Sequence, residues 1–261
     1  MLSIAASSYL NTAPLIWSFQ RGARRHEARL LTDAAPARCA DMLARGAADV
    51  ALIPVIEYQR TPDLLAAPDV CVGSRGPVRS VVLATTGADL RDVKSVALDT
   101  SSRASVALVK ILFREFVGHE PEWRPAAPDL GRMLQDADAA LLIGDPAMTF
   151  PREGLRVYDL ASEWRARTGC GFVFAVWAAR DNAAATIPFA AARDEGLARV
   201  AEIARAYETE LGLPRAELRS YLRDNICFTL DEDLRAGLEL YWRLAQKHGL
   251  IDEVKPVRWL D

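Results

Sequence analysis

Val78-Arg79-Ser80-Val81-Val82-Leu83-Ala84-Thr85 and Phe172-Val173-Phe174-Ala175-Val176-Trp177-Ala178 are two long apolar runs bounded by turn-forming residues. Runs of this kind read as strands buried on both faces. They bracket a middle block, and short strands alternate with helical patterns on either side of it, which is the sequence signature of an α/β fold. A chain that leaves one α/β unit and later returns to it makes two lobes joined by two crossing strands, with a ligand cleft between them. The expected lobes are residues 1–86 plus 178–261, and residues 87–177.

The flanking elements agree with that plan. Leu2 to Ala6 reads as a strand, and Thr12 to Arg21 as a helix with Pro14 in its first turn. Ala28 to Leu31 is a short strand, Pro36 to Arg45 a helix stopped by Gly46, and Val50 to Ile53 a buried strand followed by a helix over Pro54–Arg60. Val70 to Gly73 runs into the turn Ser74-Arg75-Gly76-Pro77. In the middle block Ser95–Leu98 and Ala139–Ile143 are strands, Trp123 sits in a third, and Leu130–Leu134 is helical. Ser102–Val117 carries apolar residues at 106, 109, 112, 113 and 116, a helical period. Helices are expected over 188–211, 215–225 and 231–248.

Composition narrows the function. Hydrophobic residues are 51% and charged residues 26% of the 261, ordinary globular values that exclude disorder and collagen-like repeats. The net charge of −3 provides no basic field for a nucleic-acid backbone, and no apolar run is long enough to span a bilayer. The four cysteines (39, 71, 170, 227) form no CxxC pair and read as free, mostly buried thiols. His26, His119 and His248 fall in no metal-ligand spacing, so no metal is expected. Met1–Ser8 has no basic segment before its apolar residues, so a cytoplasmic protein is expected.

Five stretches carry candidate chemistry. Ser7-Ser8-Tyr9-Leu10-Asn11-Thr12 lies where a strand gives way to a helix, the edge at which open α/β sheets bind ligands. Ser8, Tyr9 and Asn11 then form a polar rim, or a helix cap and nothing more. Asp99-Thr100-Ser101-Ser102-Arg103-Ala104-Ser105 repeats the arrangement. Its hydroxyls and amides suit a carboxylate or phosphate, and Arg103 either clamps a carboxylate or extends into solvent. Gly144 permits close backbone approach, and Asp145 suits a helix cap. Tyr58 faces the cleft or packs, and Phe172 and Phe174 serve a pocket wall or the core. No Ser-His-Asp spacing, Walker loop or GxGxxG occurs.

SSYLNTAP (7–14), ADVALIPVIEYQR (48–60), SRGPVRSVVL (74–83), LDTSSRASVALVKILF (98–113), ALLIGDPAM (140–148), YDLASEW (158–164), GFVFAVWAAR (171–180) and YLRDNICFTLDEDLRAGLELYW (221–242) together resemble the menaquinone-biosynthesis chorismate dehydratase family, in that family's order and over nearly the whole chain. The resemblance implies a type II periplasmic-binding-protein-like fold used as a cytoplasmic enzyme. It implies conversion of chorismate to 3-[(1-carboxyvinyl)oxy]benzoate and water without a cofactor, the first step of the futalosine route to menaquinone. Chorismate is then the partner, with no nucleic acid and no membrane. The implied site has Asn11 as catalytic residue and Ser8, Tyr9, Tyr58, Ser74, Thr100, Ser101, Ser102, Arg103, Gly144, Asp145 and Phe172 as substrate-binding residues. Ala104 departs from the threonine expected after the TSSR run, which removes one hydroxyl. The alternative from another class is a solute-binding or ligand-sensing protein of the same fold.

Overall fold

Val50–Pro54, Val81–Thr85, Ser95–Asp99 and Ala139–Ile143 are buried at every position. Strands buried on both faces need helices above and below them, and the chain supplies these by following most strands with a helix. The computed structural model describes residues 1–261. Its elements run β1 Leu2–Ser7, α1 Ala13–Gln20, β2 Ala28–Asp33, α2 Pro36–Ala44, β3 Val50–Pro54, α3 Val55–Arg60 and β4 Leu65–Ser74. The middle holds β5 Val81–Thr85, β6 Ser95–Asp99, α4 Ala104–Ile111, β7 Glu122–Ala126, α5 Leu130–Asp136, β8 Ala139–Ile143, α6 Gly144–Thr149, β9 Arg156–Asp159 and α7 Leu160–Thr168. The chain closes with β10 Phe172–Ala179, α8 Phe189–Ala198, α9 Val200–Leu211, α10 Arg215–Ser220 and α11 Glu232–Lys247. No helix is long and apolar enough to cross a membrane.

Two five-stranded sheets result, ordered β2-β1-β3-β10-β4 and β7-β6-β8-β5-β9. β1 pairs in parallel with β2 and β3, and β6 with β7 and β8. The exceptions are the two bracketing strands. β10 runs antiparallel to β3 and β4 in the first sheet, and β5 antiparallel to β8 and β9 in the second.

The expected boundaries at 86/87 and 177/178 therefore do not coincide with the sheets. Val81–Thr85 is hydrogen-bonded into the second sheet and Phe172–Ala179 into the first. Neither strand itself spans the two halves. The chain passes over in the short segments 75–80 and 169–171. An apolar run identifies a buried strand, but both sheets offer the same buried environment, so sequence pattern does not select between them. The first passage is held by Asp159, whose carboxylate accepts the Val78 and Arg79 amides at 3.1 and 2.6 Å and also caps α7 through Ser162.

Three further differences stand out. β9 and α7 had no sequence signal, because Arg156–Asp159 is short and only partly buried. The helix expected over 188–211 breaks at Arg199, which lies over the Trp17 ring. All four cysteines are free, but Cys170 and Cys227 are partly exposed while Cys39 and Cys71 are buried. The C-terminal helices pack mainly on the first sheet. A Cβ on Gly196 would lie 1.8 Å from the Pro14 carbonyl of α1, and one on Gly237 1.9 Å from the Gly171 carbonyl at the entry to β10.

Candidate functional site

The carboxyl ends of β1, β3, β6 and β8 point to the junction between the sheets. A cleft opens there, lined about equally by apolar and polar residues, the usual character of a small-molecule site. Ser7 lines it from the end of β1, Tyr9, Asn11 and Thr12 from the segment that follows, and Leu52 and Pro54 from β3. Ser102, Ala104 and Ser105 line it from the start of α4, and Ile143 and Gly144 from the end of β8. Phe174 and Ala175 close one wall, both exposed to the cleft because the β10–β4 register shifts between Val173 and Ala175. No lysine, arginine, histidine or carboxylate lines the cleft. An anion there meets hydroxyls, amides and helix N-termini only.

Within the first segment, the hydroxyls of Ser7 and Thr12 are 2.8 Å apart, and Thr12 donates to Asn11 Oδ1 at 3.2 Å. This chain of bonds fixes the amide plane of Asn11 and leaves its N–H donors for a ligand. The residues at the N-cap positions of the short turn at Leu10–Thr12 and of α1, Tyr9 and Thr12, make no side-chain cap bond, and Asn11 holds neither position.

The second segment is built on Asp99, which is completely buried. Its carboxylate accepts the Ser101 amide at 2.8 Å, the Ser101 hydroxyl at 2.6 Å and the Ile143 amide at 3.2 Å, joining the ends of β6 and β8. Burial raises the Asp99 carboxyl above the usual range, against the lowering effect of those three bonds. Ser101 is thus turned toward Asp99 and away from the cleft, while Ser102 lines it and accepts the Ser105 amide at 3.2 Å. Thr100 is exposed. Arg103 does not line the cleft but ion-pairs with Asp41 of α2 and Glu57 of α3, both at 2.7 Å, and so ties the two halves together. Those carboxylates, 62 and 46 residues away, had no sequence signal.

The remaining expected residues divide in the same way. Gly144 lines the cleft with φ +65°. A Cβ there would meet the Tyr9 ring at 2.5 Å, so the two halves touch through a contact only glycine permits. Tyr58 is in the core, stacked on Trp242, with its hydroxyl donating to the Leu64 carbonyl and accepting the Arg258 amide. Ser74 bonds within its own turn to Gly76. Ser8 is exposed, and its carbonyl accepts the Tyr207 hydroxyl at 2.8 Å. Phe172 packs edge-on against Trp164, Phe174 and Tyr241 behind the wall. Asp145 does not line the cleft; it accepts the Leu10 amide at 3.0 and 3.3 Å. Tyr58, Ser74, Ser8, Phe172 and Asp145 are therefore placed away from the cavity surface. Ser7, Thr12 and Ser105, which lie in the two polar stretches without being singled out there, and Phe174, the second candidate wall aromatic, line it instead.

Burial pushes the Asp145 carboxyl from its usual 3.8 up to about 7; the Leu10 amide opposes this and Glu210 adds to it. The folded-state value lies above the unfolded one, so protonation of Asp145 favours the fold. That stabilisation is complete below about 3.8 and is lost as pH rises through about 7. Asp145→Asn, which has no charge to bury, is expected to gain melting temperature relative to the parent protein between pH 5 and pH 8. Paired thermal melts at the two pH values check this, and a difference independent of pH contradicts it.

The model of the menaquinone-biosynthesis family matches residues 2–247. A chorismate dehydratase of Thermus thermophilus is 35% identical over 255 residues, covering 89% of this chain and 91% of that protein. Among solved structures, a protein of Archaeoglobus fulgidus superposes with a TM-score of 0.75 at 19% identity, covering 96% of this chain and 98% of that one. The periplasmic aliphatic sulphonate binding protein SsuA of Escherichia coli superposes with a TM-score of 0.65 at 18% identity, covering 98% and 92%. These two likenesses establish the fold alone, that of the periplasmic binding proteins. The family match over residues 2–247 and the relative aligned along most of the chain establish more: the protein belongs to the menaquinone-biosynthesis family.

Proposed function

We propose that this chain is a chorismate dehydratase, a hydro-lyase acting in the cytoplasm, and that the cleft between the sheets is its active site. The observation that carries the reading is the convergence of the SYLN and TSSR segments on one cavity from opposite halves, in a chain 35% identical to a chorismate dehydratase. The reaction removes a ring hydrogen and the neighbouring ring hydroxyl as water. One C–H and one C–O bond break, a C=C bond forms and the ring becomes aromatic, with no net oxidation or reduction. Aromatisation supplies the driving force, so the protein's task is orientation and stabilisation of charge.

No side-chain base lines the cleft. In this reading a carboxylate of the substrate takes the ring proton, and the Asn11 amide, held by Thr12, keeps that carboxylate in place. Ser102, Ser105 and the first amides of α4 bind the other carboxylate. The backbone amide of Ala104 is available where a threonine hydroxyl is not.

Ser102 and Ser101 are expected to behave differently. Ser102→Ala raises KM by about fivefold, the equivalent of about 1 kcal/mol for one neutral hydrogen bond, with little change in kcat. Ser101→Ala leaves buried Asp99 one donor short and lowers the melting temperature instead. Steady-state kinetics and melting curves on both variants check the assignment, and it fails if the two exchange behaviour. For the function itself, ultraviolet absorbance follows chorismate with the purified protein and no additions. Growth of an aromatic spectrum supports the enzyme, and tight binding without spectral change supports a receptor.

A further inference from the structure

Gly144 and Asp145 are consecutive residues of one half, and they hold two consecutive residues of the other. The Tyr9 ring lies against Gly144, and the Leu10 amide donates to Asp145. Leu10 opens the short helical turn Leu10–Thr12, and the first N–H groups of such a turn have no partner within it. Tyr9, at the capping position, provides no side-chain bond. The acceptor comes instead from a residue 135 positions later in the chain. We infer that Asp145 is a positioning residue for the reaction: it caps the Leu10–Thr12 turn from across the cleft and thereby fixes the place of Asn11. This rests on the dehydratase reading above.

The surroundings favour a holding role for this carboxylate. Leu10 is fully buried, so its amide has no water to fall back on. No lysine, arginine or histidine pairs with Asp145. The ionisable groups that face it are Glu210 and Tyr207 from α9, Tyr221, and Tyr9 on the opposite half. Tyr207 grips the same loop one step earlier, donating to the Ser8 carbonyl. From Asp145 the connection to the amide is short: Leu10 amide, the turn itself, then Thr12 with its bonds to Asn11 and Ser7. Asp145 does not line the cavity, so its effect on turnover passes through the loop.

The test combines amide exchange with kinetics on the full-length chain. Hydrogen exchange of the segment containing Leu10 is measured for the parent, Asp145→Ala and Asp145→Asn proteins, with kcat and KM for chorismate from pH 5.5 to 8.5. Asp145→Ala is expected to speed Leu10 exchange by about tenfold or more. It is also expected to lower kcat by about 10²-fold with a smaller change in KM, as for a displaced reacting geometry. Asp145→Asn keeps an acceptor oxygen and is expected to restore most of both losses, with no limb removed from the pH profile. Asp145→Ser, too short to reach Leu10, replaces the alanine variant if that one does not fold. Unchanged Leu10 exchange in the alanine or serine variant overturns the inference. So does an asparagine variant as inactive as alanine and lacking a pH limb, since that makes the carboxyl a proton carrier. A parent protein that binds chorismate without turnover overturns the dehydratase reading instead, and Leu10 exchange then decides whether Asp145 holds the loop.

Discussion

Asn11→Ala lowers kcat for chorismate dehydration by about 10²-fold and changes KM much less, because orientation of the reacting groups matters most in the transition state. The melting temperature stays close to that of the parent. Asn11 is only partly buried, caps no helix, and accepts a single hydrogen bond, from Thr12. A capping asparagine would show the opposite pattern, with stability falling by about 0.5–2 kcal/mol and kcat preserved. Turnover and melting measured on the same preparation separate the two. Near-normal kcat with a lowered melting temperature removes Asn11 from the chemistry.

Gly144→Ala is expected to be damaging in both respects. The backbone at Gly144 has φ +65°, which costs a residue with a Cβ about 1–2 kcal/mol. The new methyl would also lie 2.5 Å from two carbons of the Tyr9 ring, so the ring must move. Overpacking of this kind costs about 1–3 kcal/mol. Tyr9 lines the cleft and adjoins Leu10 and Asn11, so its displacement disturbs the site as well as the contact. Activity is expected to fall by about 10²-fold, together with a drop of several degrees in melting temperature. Tyr9→Ala in the same chain removes the clash and recovers part of the stability without recovering turnover, giving a favourable coupling energy between the two positions. A Gly144→Ala protein as stable and active as the parent contradicts the close contact.

The ends of the strands were the most legible part of this sequence. Ser7–Thr12, Ser102 and Gly144 follow apolar runs, and parallel strands deliver such loops to one edge. Leu2–Ser7, Ser95–Asp99 and Ala139–Ile143 formed close to where their hydrophobic runs place them. What the pattern lacked was partnership at a distance. Arg103 looks like an anion clamp until Asp41 and Glu57 arrive from α2 and α3. Asp145 looks like a local cap until the Leu10 amide reaches it. Tyr58 looks available to the cleft until Trp242 and the Arg258 backbone engage it. Val81–Thr85 and Phe172–Ala179 read as strands, but their sheet is chosen by antiparallel pairing to strands far along the chain. Local spacing encodes which residues reach the cleft edge; tertiary contacts decide which side chains remain free there.

The most direct test is identification of the product by mass spectrometry and proton NMR after incubation of purified protein with chorismate alone. The account predicts a compound lighter than chorismate by one water, with a 1,3-disubstituted benzene ring and the enolpyruvyl ether intact. Release of pyruvate, an isomer of unchanged mass, or chorismate recovered intact from a tight complex would contradict it.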